Sequence, residues 1–140
     1  MGMRLGRDTL SDVLSRIGLA PLTPRGAEAP DELCYAAENP FEATWVVFGS
    51  GASGKWEVLT HFRVLSSAPA GLTCRRTPLI TGALATDGGI RKGMSLQELS
   101  SRLGPPSEAG AANVLYNYRE RTLRGTMENG RLAAFEIMSK

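Results

Sequence analysis

Two segments of the chain, residues 9–18 and 95–104, carry apolar residues at the spacing of an amphipathic helix. Each segment opens with a hydroxyl residue followed three positions later by an acid, the capping-box pattern that satisfies free N–H groups of a first helical turn. Each closes with a glycine, the usual residue after a helix C-terminus, and proline follows shortly. The pattern predicts two helices of about ten residues.

Six further segments are rich in β-branched and aromatic residues or alternate apolar and polar residues, as strands do. Three follow the first predicted helix and three follow the second, at residues 32–37, 44–48, 56–65, 113–119, 122–127 and 131–138. The Glu-Asn-Gly sequence at 128–130 supplies the positive φ that a tight hairpin turn requires. A helix followed by three strands thus occurs twice, and residues 72–80 are a candidate for one more strand.

This order of elements predicts the fold class. A ten-residue helix with three strands buries too little apolar surface to be stable alone, so two such units should share one core. We therefore expect an α+β fold of two tandem helix-plus-three-strand repeats that share an antiparallel sheet, with the helices on one face. The first repeat spans residues 1–65, a linker spans 66–92 and the second repeat spans 93–140, together forming one compact unit.

Composition narrows the possible partners. The 140 residues include 42% hydrophobic and 21% charged residues, the mixture of a globular domain, and the net charge is only +2. Nucleic-acid binding needs a concentrated basic face, so we expect no nucleic-acid partner. The longest uncharged apolar stretches are too short to span a bilayer, and no signal peptide is visible. Membrane association is expected only through an unseen lipid anchor.

The second predicted repeat resembles the SmpA/OmlA family of bacterial envelope proteins. The resemblance covers residues 93–140 and rests on Gly93-Met94-Ser95-Leu96-Gln97-Glu98-Leu99, Leu103-Gly104-Pro105-Pro106, Tyr116-x-Tyr118 and Asn129-Gly130-Arg131-Leu132. Two such units in tandem resemble the architecture of β-lactamase inhibitory proteins. The resemblance implies a non-enzymatic, exported bacterial protein, periplasmic or secreted, that binds another protein. The acidic hairpin loop of those inhibitors has no acidic counterpart in residues 49–54, so β-lactamase inhibition is not expected.

The two cysteines, Cys34 and Cys74, could be buried thiols or one disulfide. Taken alone, their number decides neither, since a disulfide suits only an oxidising compartment. The resemblance to exported proteins favours the disulfide. With one histidine and two cysteines the sequence offers no convincing metal site, and we expect no metal or other cofactor.

The stretch Gly49-Ser-Gly-Ala-Ser-Gly-Lys55 has the glycine and lysine spacing of a nucleotide-binding P-loop. A P-loop also needs a hydroxyl residue after the lysine and a following helix whose N-terminus binds phosphate. Trp56 occupies the hydroxyl position, and the residues after it alternate as a strand does. We therefore expect a hairpin loop and no bound nucleotide.

Catalytic residues are equally hard to assemble. Cys34 and the only histidine, His61, could form a nucleophile–base pair. A strand cysteine and a solvent-facing histidine explain the same residues more simply. We expect no enzymatic activity and name no catalytic residue.

The expected function is protein binding through the sheet face and the hairpin loops. Aromatic residues on an open sheet face and arginines near a hairpin suit a protein interface. The candidate binding residues are Trp45, Tyr118, Arg119, Arg121, Gly51 and Ser53. A structural envelope component that binds lipid or peptidoglycan through its arginines is the alternative, and a Cys/His enzyme is a second one.

Overall fold

The computed structural model describes residues 4–20, 31–50 and 58–139. It contains the helices α1 (Leu10–Ile17) and α2 (Leu96–Leu103) and a 3₁₀ turn at Pro40–Glu42. The strands are β1 (Glu32–Ala37), β2 (Trp45–Ser50), β3 (Leu59–Leu65), β4 (Cys74–Thr77), β5 (Glu108–Ala109), β6 (Asn113–Asn117), β7 (Arg121–Glu128) and β8 (Arg131–Ser139). They form one sheet in the order β4-β1-β2-β3-β8-β7-β6-β5.

The predicted fold class is wrong. Instead of two α+β repeats on an antiparallel sheet, the described residues form a mainly β structure, with one eight-stranded mixed sheet and two helices of eight residues each. The sheet is mixed because β4, from the predicted linker, lies parallel to β1. A short strand, β5, adds the opposite edge beside β6. Local periodicity does not encode such pairings, because they depend on contacts between distant segments.

The middle of the sheet joins the two halves of the chain. Strand β3 pairs antiparallel with β8, so Val64 lies opposite Phe135 and Phe62 lies opposite Ile137. The hydrogen-bonded ladder therefore continues from the first predicted repeat into the second. The domain boundaries at residues 65 and 92 stay a prediction.

Both helices begin with a capping box. The Thr9 side chain accepts a hydrogen bond from the Asp12 backbone N–H, and the Asp12 carboxylate accepts one from the Thr9 N–H. Ser95 and Glu98 make the same reciprocal pair in α2. These backbone donors hold the pKa of both acids below their ordinary values, because they stabilise the ionised carboxylate.

One face of the sheet packs against the helices in a single hydrophobic core. The apolar side of α1 contributes Leu10, Val13 and Ile17, whereas α2 buries only Leu99. Side chains of neighbouring strands lie opposite one another in a row that crosses six strands: Leu33, Phe48, Phe62, Ile137, Leu123 and Tyr116. The side chains of this row all point to the helical face.

A register shift changes the face that one residue occupies. Strict alternation along β3 places Leu59 on the same side as His61, but Leu59 is buried in the core. The pairing of β2 with β3 shifts between Gly49 and Ser50, so that Gly49 lies opposite His61 and Ser50 lies opposite Leu59. Such a bulge turns the strand locally and brings Leu59 to the helical face.

The other face carries a buried carboxylate. The Glu32 carboxylate on β1 lies 3.3 Å from His61 Nε2 and accepts a hydrogen bond from Arg63 Nη2 at 3.2 Å, and both partners belong to β3. Gly49 lies on β2, between Glu32 of β1 and His61 of β3. The His61 ring occupies the space that a side chain at position 49 would fill. Trp45 and Val47 lie on this face too, since Val46 and Phe48 point to the core.

The cysteines Cys34 and Cys74 form the predicted disulfide, with Cα atoms 4.5 Å apart. The bond joins β4 to β1 at the first pair of their parallel register. A disulfide is compatible with a periplasmic or secreted location. Within the described residues, no helix has the length and apolar character needed to cross a membrane.

Candidate functional site: an apolar groove on the helical face

The helices do not cover the whole core face of the sheet. An open groove of about 490 Å³ remains over its middle strands. Among the described residues, the floor consists of five apolar side chains from β2, β3, β7 and β8, namely Phe48, Leu59, Phe62, Leu123 and Ile137. Four strands span three interstrand spacings of about 4.8 Å, so the floor is about 14 Å long.

Aromatic packing fixes the floor at one end. The rings of Phe48 and Phe62 are stacked with centroids 6.3 Å apart. Phe62 also meets Phe135 edge-on at 6.1 Å, and Phe48 meets Tyr35 edge-on at 6.2 Å. Because each ring is held by a neighbour, the groove is preformed rather than created by side-chain rearrangement.

Three further segments form the walls. Leu5 precedes α1 on one side, and Leu103 ends α2 on another. The third wall is the loop 85–90, whose buried Ile90 anchors it in the core. Inside this loop the Thr86 N–H donates to Ile90 O at 2.9 Å, and the Ile90 N–H donates to the Thr86 hydroxyl at 3.0 Å. The loop is therefore closed on itself.

The rim of the groove is polar and on balance positive. The exposed side chains of Arg4 and Arg121 line it, and Asp87 is the only acid among the lining residues that the structure describes. Within the described parts of the chain, neither of these guanidinium groups takes part in an ion pair. A carboxylate on a bound partner would find two candidate cations at this rim.

Tyr118 links the rim to α2. Its hydroxyl donates to Leu103 O at 3.0 Å, and its ring stacks on Tyr116 with centroids 6.1 Å apart. Partial burial raises the pKa of Tyr118, and the neighbouring Tyr116 raises it further. The phenol therefore stays neutral at physiological pH and keeps donating its hydrogen bond.

Of the four predicted binding residues that the structure describes, two are brought together. Tyr118 and Arg121 both line the groove. Arg119 is exposed in the turn between β6 and β7 but does not line it, and Trp45 lies on the opposite face of the sheet. Gly51 and Ser53 lie outside the described residues.

Two chemical alternatives can be compared with the structure. The segment that resembles a P-loop begins at the end of β2, and the next described element is the antiparallel strand β3, not a helix. Cys34 is bonded to Cys74, so it lacks the thiol that a Cys34–His61 pair requires. In the parts of the chain that the structure describes, no group of three or more His, Cys, Asp or Glu residues could hold a metal ion.

Sequence reasoning missed most of the groove. The sequence pattern does not distinguish the floor residues of the groove from other buried core residues. Arg4 and Asp87 lie in segments with no periodic pattern. Phe48 and Phe62 each lie in a segment that the sequence predicts as a strand, but their proximity depends on the register between β2 and β3. The proximity of Phe62 and Ile137 depends on the long-range pairing of β3 with β8. The sequence indicated this site only through Tyr118 and Arg121, an aromatic residue and a cation three positions apart near the predicted hairpin.

Comparison with protein-family models and with curated proteins gave no match. Two solved structures are similar over nearly the whole chain. One is an extracellular protein containing an SCP domain from Bacillus anthracis, with a TM-score of 0.60 and 11% identity over 96% of this chain. The other is a DUF4309 family protein, YjgB, from Bacillus subtilis, with a TM-score of 0.55 and 12% identity over 100% of this chain and 84% of that one.

The chain spans 43% of the length of the Bacillus anthracis structure. At these identities, the likeness extends to the fold alone. Neither structure is described as an SmpA/OmlA or β-lactamase inhibitory protein, so that resemblance receives no support here and stays a prediction. The chain shares its fold with part of an extracellular protein that contains an SCP domain and with most of a DUF4309 family protein.

Proposed function

We propose that this chain is a non-enzymatic, exported binding module, and that it holds a short segment of a partner protein in the apolar groove. The observation that carries the proposal is the preformed floor of Phe48, Phe62, Ile137 and Leu123 under an open mouth with two arginines at its rim. A concave apolar surface with a few polar groups is the usual form of a binding site.

Export is supported by two independent observations. The disulfide between Cys34 and Cys74 suits an oxidising compartment. The protein from Bacillus anthracis with the same fold is extracellular. Neither observation involves catalysis, and the proposal assigns none to the chain.

The shape of the groove indicates what the segment looks like. A floor of about 14 Å accommodates about four residues of an extended chain. The floor favours at least one large apolar side chain, which gains about 1.5–3 kcal/mol when it leaves water. The positive rim at Arg4 and Arg121 favours a carboxylate close to that side chain.

The proposal changes the binding surface predicted from sequence. Tyr118 and Arg121 remain binding residues, but the binding surface is the sheet face that packs against the helices rather than the opposite, open face. Trp45 belongs to the opposite face and has no role in this site. Binding to lipid or peptidoglycan becomes a competing outcome of the same test.

The experiment uses a variant that fills the groove. Ala85 is exposed and lines the groove, so Ala85→Trp places an indole in its mouth. Ala83 is exposed two residues away and does not line the groove, so Ala83→Trp is the matched control. A random peptide display library is selected on the wild-type chain, with removal of peptides that also bind Ala85→Trp.

We expect enriched peptides with a large apolar residue near an acid, bound by wild type and Ala83→Trp but not by Ala85→Trp. Arg121→Glu should weaken them, whereas Arg119→Glu, the same charge change outside the groove, should not. A selection that enriches no groove-dependent peptide overturns the proposal. Groove-dependent binding to anionic vesicles without any peptide would replace it with the lipid alternative.

A further inference from the structure

The 3₁₀ turn between β1 and β2 displays an aromatic side chain in solvent. Phe41 is 95% exposed and does not contribute to the core. It is also absent from the lining of the groove on its own chain. A phenyl ring exposed to water does not gain the favourable free energy of burial. Contact with a partner would provide that free energy, so Phe41 is a candidate contact residue.

The turn is held firmly by the residues around this ring. Asn39 caps it, because its side chain accepts a hydrogen bond from the Phe41 N–H at 3.0 Å. The Thr44 hydroxyl donates to Glu42 O at 2.7 Å, and Lys92 Nζ donates to Ala43 O at 2.8 Å. Phe41 is therefore presented on a fixed support, which reduces the entropy lost when it binds.

The Phe41 turn has the chemistry that the groove requires. Glu38 is exposed three residues before the ring, and Glu42 follows it directly. Glu42 also accepts a hydrogen bond from the Gly82 N–H at 3.3 Å, which keeps its carboxylate beside the turn. A large apolar side chain between two carboxylates matches an apolar floor beneath the guanidinium groups of Arg4 and Arg121.

We infer that the groove of one copy of this chain receives Phe41 of a second copy. This inference rests on the proposed function, because it names the partner segment of the same groove. The two contacting surfaces differ, so the contact is heterologous and can continue from one molecule to the next. One phenyl ring with its flanks buries far less than a standard interface, so the association is weak and transient.

The test is sedimentation velocity of the intact chain at total concentrations from about 10 μM to about 1 mM, the range expected for a small interface. Wild type and Ala83→Trp should associate as concentration rises. Phe41→Ala lacks the inserted ring and Ala85→Trp lacks the open groove, so each variant alone should stay monomeric.

An equimolar mixture of the two variants gives the decisive result. Phe41→Ala keeps an open groove and Ala85→Trp keeps its phenyl ring, so the mixture should form a one-to-one dimer and nothing larger. Urea unfolding confirms beforehand that both variants fold; Phe41→Ala should unfold like wild type because the ring is exposed. Should Ala85→Trp fail to fold, Arg121→Glu replaces it as the variant with an impaired groove.

Self-association that persists in Phe41→Ala, or a mixture that stays monomeric, overturns the inference. A wild-type chain that is monomeric at about 1 mM, the upper end of the range expected for a small interface, also overturns it. If groove-dependent peptides are nevertheless selected, the groove binds a different partner and only the self-docking fails. If neither peptides nor a second copy occupy the groove, the proposed function fails as well.

Discussion

Phe48 and Phe62 lie opposite each other on β2 and β3, and their rings stack at 6.3 Å with an interplanar angle of 22°. This pair forms one end of the groove floor and also belongs to the core. The same two rings therefore contribute to the stability of the sheet and to the shape of the candidate site.

Removing the buried ring should cost far more than removing the exposed one. Phe48 is buried, so we expect Phe48→Ala to lower the free energy of unfolding by about 3–5 kcal/mol, because it removes apolar burial and leaves a cavity. Phe41→Ala makes the same chemical change at an exposed site and should stay within about 0.5 kcal/mol of wild type. Urea denaturation measures both, and equal costs would contradict the placement of Phe48.

Gly49 leaves room for the His61 ring on the opposite face. A Cβ atom at position 49 would lie 2.1 Å from His61 Nε2, much closer than nonbonded atoms allow. We expect Gly49→Ala to destabilise the fold by about 1–3 kcal/mol through overpacking. The displaced imidazole would also lose its 3.3 Å contact with Glu32.

A double-mutant cycle checks this cause. In a His61→Ala background, Gly49→Ala should cost much less than in wild type, because the clashing ring is gone. Gly110→Ala is the matched control, since a Cβ there meets its nearest neighbour at 4.0 Å. Additive costs at positions 49 and 61 would show that the clash is not the reason.

The capping boxes should make stability depend on acid pH. The pKa of Asp12 and of Glu98 is lowered in the folded chain, chiefly by the backbone N–H groups of Thr9 and Ser95. Because the folded pKa is lower than the unfolded one, the stabilisation is present above the unfolded pKa and is lost as pH falls through the folded pKa.

The unfolding midpoint of wild type should fall between pH 6 and about pH 3, the range in which ordinary carboxyl groups titrate. We therefore expect the midpoints of Asp12→Asn and Glu98→Gln to fall less over the same range. Glu120→Gln removes an exposed acid outside either helix cap and is the charge control. A control variant that flattens the profile as strongly would assign the effect to net charge instead.

Local signals predict local structure in this chain and little beyond it. The helices occur where Thr9–Asp12 and Ser95–Glu98 signal them, because a capping box and an apolar stripe act within one or two turns. The parallel direction of β4 has no such local signal, although the expected disulfide brings this segment to β1. It depends on Cys34 meeting Cys74 across 40 positions, and the groove depends on β3 meeting β8. Both result from long-range packing, which a single sequence does not display.

The buried hydroxyl of Tyr35 should produce an alkaline transition. It donates to Gly18 O at 2.7 Å just beyond the end of α1, and burial raises its pKa to about 12, an effect that Arg75 partly offsets. Since the unfolded pKa is about 10, the neutral phenol stabilises the fold fully below pH 10, and this contribution is lost as pH rises towards 12.

Tyr35→Phe isolates this contribution. At pH 7 it should cost about 1 kcal/mol for the lost hydrogen bond, but its unfolding midpoint should fall less than that of wild type between pH 9 and about pH 11. Absorbance of tyrosinate should show a wild-type phenol that titrates near pH 12, and that phenol should be missing in the variant. Parallel pH profiles for the two proteins would place the late phenol elsewhere.

The disulfide should hold β4 in place as well as stabilise the whole fold. Closing a loop of 40 residues is worth about 4 kcal/mol in the chain-entropy model, so reduction should lower the unfolding midpoint strongly. Cys74→Ala should unfold like the reduced wild type and should not respond to reductant, which makes it the matched control. Thiol titration of the unreduced, denatured wild type should find no free thiol.

Reduction should also act unevenly along the sheet. Strand β4 has four residues and pairs only with β1 among the described strands, whereas β7 pairs with both β6 and β8. Without its covalent link, β4 relies on a short edge ladder, so its amides should lose hydrogen-exchange protection by local opening while those of β7 keep theirs. Protection that falls equally in both strands would mean that the bond stabilises the sheet only as a whole, and that β4 is held by its ladder rather than by Cys74.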